Sequence, residues 1–92
     1  MIDHEKIKHI LELSNKLGNN PDKIIEMMQH HTSEIKELHN NKDKHFAIET
    51  GDLIILAIQL LMMEGYSTKE IMNTCYNRFD KKLNGLLEKN VN

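Results

Sequence analysis

The chain has 92 residues, of which 39% are hydrophobic and 28% charged, so it forms one small domain with no room for a second core. Its net charge of −2 argues against recruitment to nucleic acid or to an anionic membrane by bulk charge. One Cys excludes an internal disulfide, while one Pro and four Gly favour long helices over short strands joined by turns.

Two helices are predicted in the first half of the chain. The first covers residues 3–17, because apolar residues recur there at spacings of three and four after an aspartate that can cap. Gly18 can adopt the left-handed backbone geometry that ends many helices. The second helix covers residues 20–41 and begins with an Asn N-cap followed by Pro in the first turn. Its middle is unusually polar.

A third helix is predicted to start after a cap at Asp43 and to end at Gly65. Residues 53–63 within it are apolar on nearly every side, and a helix that is apolar all round has to be buried all round. A single chain of this length has too few other helices to cover it. The pattern therefore predicts that this helix lies at the centre of a homo-oligomer, a dimer or a tetramer.

The fourth helix is predicted to begin with a capping box, in which the Ser67 side chain accepts a hydrogen bond from the Glu70 amide. It continues to Leu87, and residues 89–92 are expected to fray. The predicted fold is therefore all-α: one domain over residues 1–92, a four-helix chain that assembles into an oligomeric helical bundle.

Two acidic pairs are the strongest candidates for chemistry. Glu34 and Glu37 lie three residues apart on the second helix, and Glu49 and Asp52 have the same spacing on the third. If the two helices pack antiparallel, both pairs can converge between them. Oxygen ligands of this kind suit Mg²⁺, with Mn²⁺ as an alternative. Equally, such pairs are often ordinary surface charges, here with Lys36, Lys42 and Lys44 as possible partners.

The order of motifs resembles the MazG-like nucleotide pyrophosphohydrolases of the all-α NTP pyrophosphatase superfamily. The similarity covers about residues 27–83 and rests on four segments. These are Ser33-Glu34-Ile35-Lys36-Glu37-Leu38, Glu49-Thr50-Gly51-Asp52-Leu53-Ile54, Glu64-Gly65-Tyr66-Ser67-Thr68-Lys69-Glu70 and Asn77-Arg78-Phe79-Asp80-Lys81-Lys82. The chain differs from the family pattern where Ser33 and Ile48 replace glutamates, and where His30 and His45 occupy positions that are often basic.

The resemblance implies a Mg²⁺-dependent hydrolase that cleaves nucleoside triphosphates to monophosphates and pyrophosphate. It implies Glu34, Glu37, Glu49 and Asp52 as metal ligands and catalytic residues. It also implies Asn77 and Arg78 as possible contacts to the nucleotide or its phosphates. Lys81 is a further candidate for such a contact, with a basic turn that complements the helix dipole as the alternative.

Two other classes of function remain open at this stage. One is a catalytically weak relative that binds metal or nucleotide as a sensor, and the other is a purely structural helical dimerisation module. A zinc site built from the six histidines is disfavoured, because their spacing matches no known zinc motif. The N-terminus lacks a signal-peptide pattern, and the run 53–63 is shorter than a bilayer span, so a cytoplasmic protein is expected.

Overall fold

The structure, a computed structural model, describes residues 2–91 and is all-helical over that range, which confirms the predicted all-α class. Its four helices, joined by short connections, are α1 (His4–Lys16), α2 (Pro21–Asn40), α3 (Phe46–Met63) and α4 (Thr68–Val91).

The helix ends follow local sequence signals, and most of the predicted caps are confirmed. The side chain of Asp3 accepts a hydrogen bond from the Lys6 amide, and Asn20 does the same for Lys23 at the start of α2. Gly18 has a φ of +77°, the left-handed conformation expected after α1. Ser67 accepts from the Glu70 amide at 3.3 Å, as one half of a capping box requires.

One predicted helix limit is wrong. Asp43 does not cap α3: its carboxylate accepts a hydrogen bond from the His45 amide within the preceding turn, and the helix begins only at Phe46. α4 continues to Val91, and the fraying expected for residues 89–92 stays a prediction. The last residue, Asn92, lies outside the described range.

α2 and α3 form the best-packed part of the molecule. On α2 the most protected positions repeat at alternating spacings of three and four, so this helix turns one stripe toward its neighbour. The stripe contains Ile24, Met28, His31, Ile35 and Leu38. On α3 the residues at the same kind of spacing are Glu49, Leu56, Gln59 and Met63, with the exposed Asp52 between the first two. Ile24 is fully buried, and Leu56 and Gln59 are buried as well.

One copy of the chain leaves much of α3 uncovered. Only 17% of its residues are buried, although the helix is almost entirely apolar, and the side chain of Ile54 is 47% exposed. The apolar segment also forms an 18-residue helix, longer than the run 53–63 suggested. By length and composition alone α3 could cross a membrane, although the core helix of a soluble protein passes the same test.

Gly51 does not mark a close approach within the chain. Glycine destabilises a helix interior, and a neighbouring helix or a ligand packed against its backbone would explain why glycine occurs here. A Cβ atom built there meets nothing within 4 Å in the described part of the chain. The cost of this glycine, about 1 kcal/mol relative to Ala, is therefore not explained by packing inside one copy.

Candidate metal centre

Three side chains from α2 and α3 converge at one point between the two helices. His31 lies on α2, and Glu49 and Asp52 lie one turn apart on α3. Each can present a ligand atom such that all three atoms lie within 4.8 Å of one another. The centre is partly shielded, since the side chains of His31 and Glu49 are 25% and 14% exposed while that of Asp52 is 50% exposed.

The orientation of the His31 ring is set by its own helix. Nδ1 lies 2.8 Å from the carbonyl oxygen of Met27, one turn earlier. A carbonyl only accepts, so Nδ1 carries a proton and donates it. This fixes Nε2 as the atom that faces the acids. Histidines that bind metal ions usually donate their second ring N–H to a carbonyl or carboxylate in this way.

Nε2 of His31 faces two carboxylate oxygens. It lies 3.4 Å from Glu49 Oε2 and 3.7 Å from Asp52 Oδ2. A nitrogen lone pair and a carboxylate oxygen repel each other, so a positive species between these groups, either a proton on Nε2 or a metal ion, would stabilise the arrangement. The proton would give a structural ion pair, and the metal ion would give a functional centre.

The spacing of the ligand atoms fits a bound divalent ion. Metal–nitrogen and metal–oxygen bonds of about 2.1 Å keep neighbouring ligand atoms roughly 3.0 to 3.5 Å apart in octahedral or tetrahedral geometry. The two measured separations from His31 Nε2, 3.4 and 3.7 Å, lie at or slightly above this range. Small rotations of the exposed Asp52 side chain would close the difference.

The two acids of the centre are not neutralised by lysine or arginine. Within the described residues, the side-chain ion pairs shorter than 4.0 Å all join a histidine to Glu49 or Asp52. The second oxygen of Glu49 lies 3.4 Å from Nε2 of His45, one turn earlier. Glu49 is thus held between two imidazoles. The alternative in which nearby lysines pair with these acids as surface charges finds no support in this geometry.

A buried polar group lies beside the centre. His31 and Asp52 line a cleft of about 270 Å³ together with Gln59 and apolar residues, among them Ile10 of α1. Gln59 is 3% exposed, and its Oε1 has no hydrogen-bond partner among the described residues. Buried polar atoms almost always have partners, but Oε1 has almost no solvent-accessible surface, so the cleft does not explain why it lacks one.

The sequence-based ligand set is only partly brought together. Glu49 and Asp52 meet as expected. Glu34 and Glu37 are exposed on α2 and lie outside the three-residue group. Glu34 directly precedes Ile35 and Glu37 directly precedes Leu38, and both of these apolar residues belong to the stripe that faces α3. Each glutamate is therefore turned about 100° around the helix from the stripe residue that follows it. Their assignment as ligands remains a prediction.

The predicted phosphate contacts lie on the far part of α4. These residues, Asn77, Arg78 and Lys81, are exposed and do not belong to the cluster of His31, Glu49 and Asp52. Arg78 and Lys81 line a separate open concavity with Phe79 and Lys82. This surface carries three basic groups beside an aromatic ring, and its role in binding a nucleotide also remains a prediction.

Sequence reasoning missed His31. The signal was its register: Ile24, Met28, Ile35 and Leu38 define an apolar stripe, and His31 occupies the one position of that stripe held by a polar residue. A polar residue in an otherwise apolar stripe has to meet a partner across the helix interface. The two acids on α3 are those partners.

Comparisons with known proteins add no family assignment. No protein-family model, no curated protein and no solved structure matches the chain.

Proposed function

We propose that the chain is a nucleoside triphosphate pyrophosphohydrolase that depends on a divalent metal ion, Mg²⁺ or Mn²⁺, and works as a homo-oligomer. The observation that carries the proposal is the convergence of His31, Glu49 and Asp52, which among the residues that the structure describes have no lysine or arginine partner within 4.0 Å. A cytoplasmic protein that acts on a nucleotide, without nucleic acid or membrane as partner, remains our expectation.

Three features of the centre support catalysis. A divalent ion held there would neutralise charge on phosphate oxygens and lower the pKa of an attacking water. Glu49 and Asp52 would hold that ion from one side, with His31 opposite them across the helix interface. His45 fixes the remaining oxygen of Glu49, so this carboxylate enters the reaction already oriented.

The substrate class rests on the resemblance in sequence. Glu49-Thr50-Gly51-Asp52-Leu53, followed by Asn77-Arg78-Phe79, is similar to the MazG-like pattern and implies cleavage between the α and β phosphates. The basic concavity on α4 supports an anionic substrate, because Arg78, Lys81 and Lys82 are exposed and available to phosphate oxygens.

The homo-oligomer is supported by two uncovered apolar surfaces on the same chain. One is a groove along α2 and α3, lined by Ile25, Met28, Leu53, Ile54, Ala57 and Leu60 among others. The other is the apolar stripe of α4, in which Phe79 and Leu83 are 64% and 55% exposed. Monomeric soluble proteins rarely expose apolar patches on this scale, and a second copy supplies the matching surface.

Light scattering should give a dimer or tetramer, and a stable monomer would refute this part of the proposal.

The activity test is a panel of NTPs and dNTPs incubated with the protein and Mg²⁺ or Mn²⁺. We expect equal amounts of monophosphate and pyrophosphate. Glu49→Gln and Asp52→Asn should each lower the rate by about 100-fold or more, because each removes a metal ligand while keeping the side-chain shape. Glu26→Gln is the matched control, since Glu26 is an exposed acid of α2 outside the centre.

The same assay separates the competing functions. Release of single phosphates would refute the pyrophosphohydrolase. Metal-dependent stabilisation without hydrolysis would favour a sensor that binds metal or nucleotide. That second candidate is favoured by the exposure of Glu34 and Glu37 outside the group, which leaves only three ligands in place. If metal changes nothing and Asp52→Asn behaves like the parent, the centre itself is wrong.

A further inference from the structure

We infer that His31 makes this centre selective for a borderline transition-metal ion, of the Fe²⁺ to Zn²⁺ series, over Mg²⁺. The inference rests on the metal centre of the proposed function, which requires only a divalent ion, and adds which chemical class of ion the centre prefers. It arises from the ligand set in the structure, one imidazole and two carboxylates, which differs from the all-carboxylate set that the sequence predicts.

The donor atoms determine the preference. Mg²⁺ binds oxygen ligands almost exclusively and keeps several of its waters, whereas imidazole nitrogen suits Zn²⁺, Fe²⁺, Ni²⁺ and Cu²⁺. Nε2 of His31 occupies a position that an all-oxygen centre would give to a third carboxylate, 3.4 and 3.7 Å from the two acidic oxygens. A Mg²⁺ ion would gain little from this nitrogen, while a transition-metal ion would gain a strong ligand.

The surroundings of His31 hold its nitrogen in the ligand position. The Nδ1–H bond to the Met27 carbonyl selects the tautomer in which Nε2 carries the free lone pair once a metal ion replaces the proton. The ring is three-quarters shielded, so its orientation is also restrained by packing.

The test measures affinities for Zn²⁺ and Mg²⁺ on the metal-free 92-residue chain by titration calorimetry. We expect the ratio of Zn²⁺ to Mg²⁺ affinity to fall by about tenfold or more in His31→Gln, with Mg²⁺ affinity changed by less than about threefold. His31→Glu should lower the same ratio further, because it restores an all-oxygen set. His30→Gln is the matched control: it removes an exposed histidine next in sequence, and its ratio should stay at the parent value.

A second measurement distinguishes zinc bound at His31 from zinc bound at other histidines, and it needs no variant that could misfold. In the unmutated protein, long-range ¹H–¹⁵N spectra should show Nε2 of His31 shifting on Zn²⁺ addition while Nδ1 keeps its proton. A shift confined to other histidines, or a ratio that His31→Gln leaves unchanged, overturns the inference but leaves a metal centre standing. If the parent protein binds neither ion, the metal centre of the proposed function fails as well.

Discussion

The two helices of the α2–α3 hairpin, 20 and 18 residues long, and the 24-residue α4 differ in how they are supported. α2 and α3 pack against each other and bury Ile24, Leu56 and Gln59. Within the described residues α4 packs against no helix but α3, and every residue of the range 76–90 is exposed. Yet α4 also carries a regular apolar stripe, which includes Phe79, Leu83 and Leu86.

The difference separates two sources of helix stability. The hairpin is stabilised inside one chain, and the candidate metal centre joins its two helices where the apolar stripes are interrupted by polar residues. Isolated helices are marginal in water, and most helical stability in proteins comes from packing of an apolar face. The outer part of α4 therefore depends on a surface outside its own chain, and the proposed second copy would provide it.

The largest expected effect comes from truncating one apolar side chain in each region. Ile24→Ala should lower the free energy of unfolding by about 3 kcal/mol, because Ile24 is fully buried and its removal leaves a cavity. Leu83→Ala should change it by less than about 0.5 kcal/mol in dilute solution, since the side chain is 55% exposed. Urea unfolding monitored by circular dichroism measures both.

Measuring both variants at several protein concentrations separates stabilisation within one chain from stabilisation by a second copy. If a second copy covers α4, the cost of Leu83→Ala should grow as concentration rises, while that of Ile24→Ala stays nearly constant. Equal costs for the two variants in dilute solution would show that α4 is buried within its own chain, and would remove the distinction between the two regions.

A bound metal ion should stabilise the hairpin and leave α4 unchanged. At a free Mn²⁺ concentration of about 100 times Kd, the free energy of unfolding should rise by about 2.7 kcal/mol. Hydrogen exchange should show slower exchange around His31 and Glu49, with the amides of residues 76–90 unaffected. Asp52→Asn should abolish the effect and Glu26→Gln should retain it. Slower exchange spread evenly into α4 would mean that both regions open as one unit.

Local features of this fold could be predicted from the sequence, because they depend on a few neighbouring residues. The Asp3 and Asn20 caps and the left-handed Gly18 follow from side-chain hydrogen bonding and from backbone freedom within one turn. The acidic pair Glu49 and Asp52 was found for the same reason: a spacing of three puts both on one helix face.

Features that depend on register between helices could not be predicted from spacing alone. Glu34 and Glu37 have the same spacing as the pair on α3, but the stripe that packs against α3 includes His31, Ile35 and Leu38 instead. Glu34 lies three residues after His31, so the two side chains are only about 60° apart around α2. The choice between Glu34 and His31 thus depends on how the two helices pack, and the apolar neighbours of His31 were the available signal.

The smallest expected effect on the free energy of unfolding comes from replacing a helical glycine by alanine, and each region contains one such glycine. Gly51 in α3 and Gly85 in α4 both lie inside helices, and a Cβ at either meets nothing within 4 Å in the described chain. Helix propensity alone gives Gly51→Ala a gain of about 1 kcal/mol, which urea unfolding should detect because α3 belongs to the packed hairpin. Gly85→Ala should add less to global stability, because residues 76–90 of α4 are exposed and make little packing within one chain. A loss of stability in Gly51→Ala would indicate instead that a second copy packs against the α3 backbone there. Repeating the measurement in dilute solution would identify that contact, because a loss caused by a second copy disappears on dissociation.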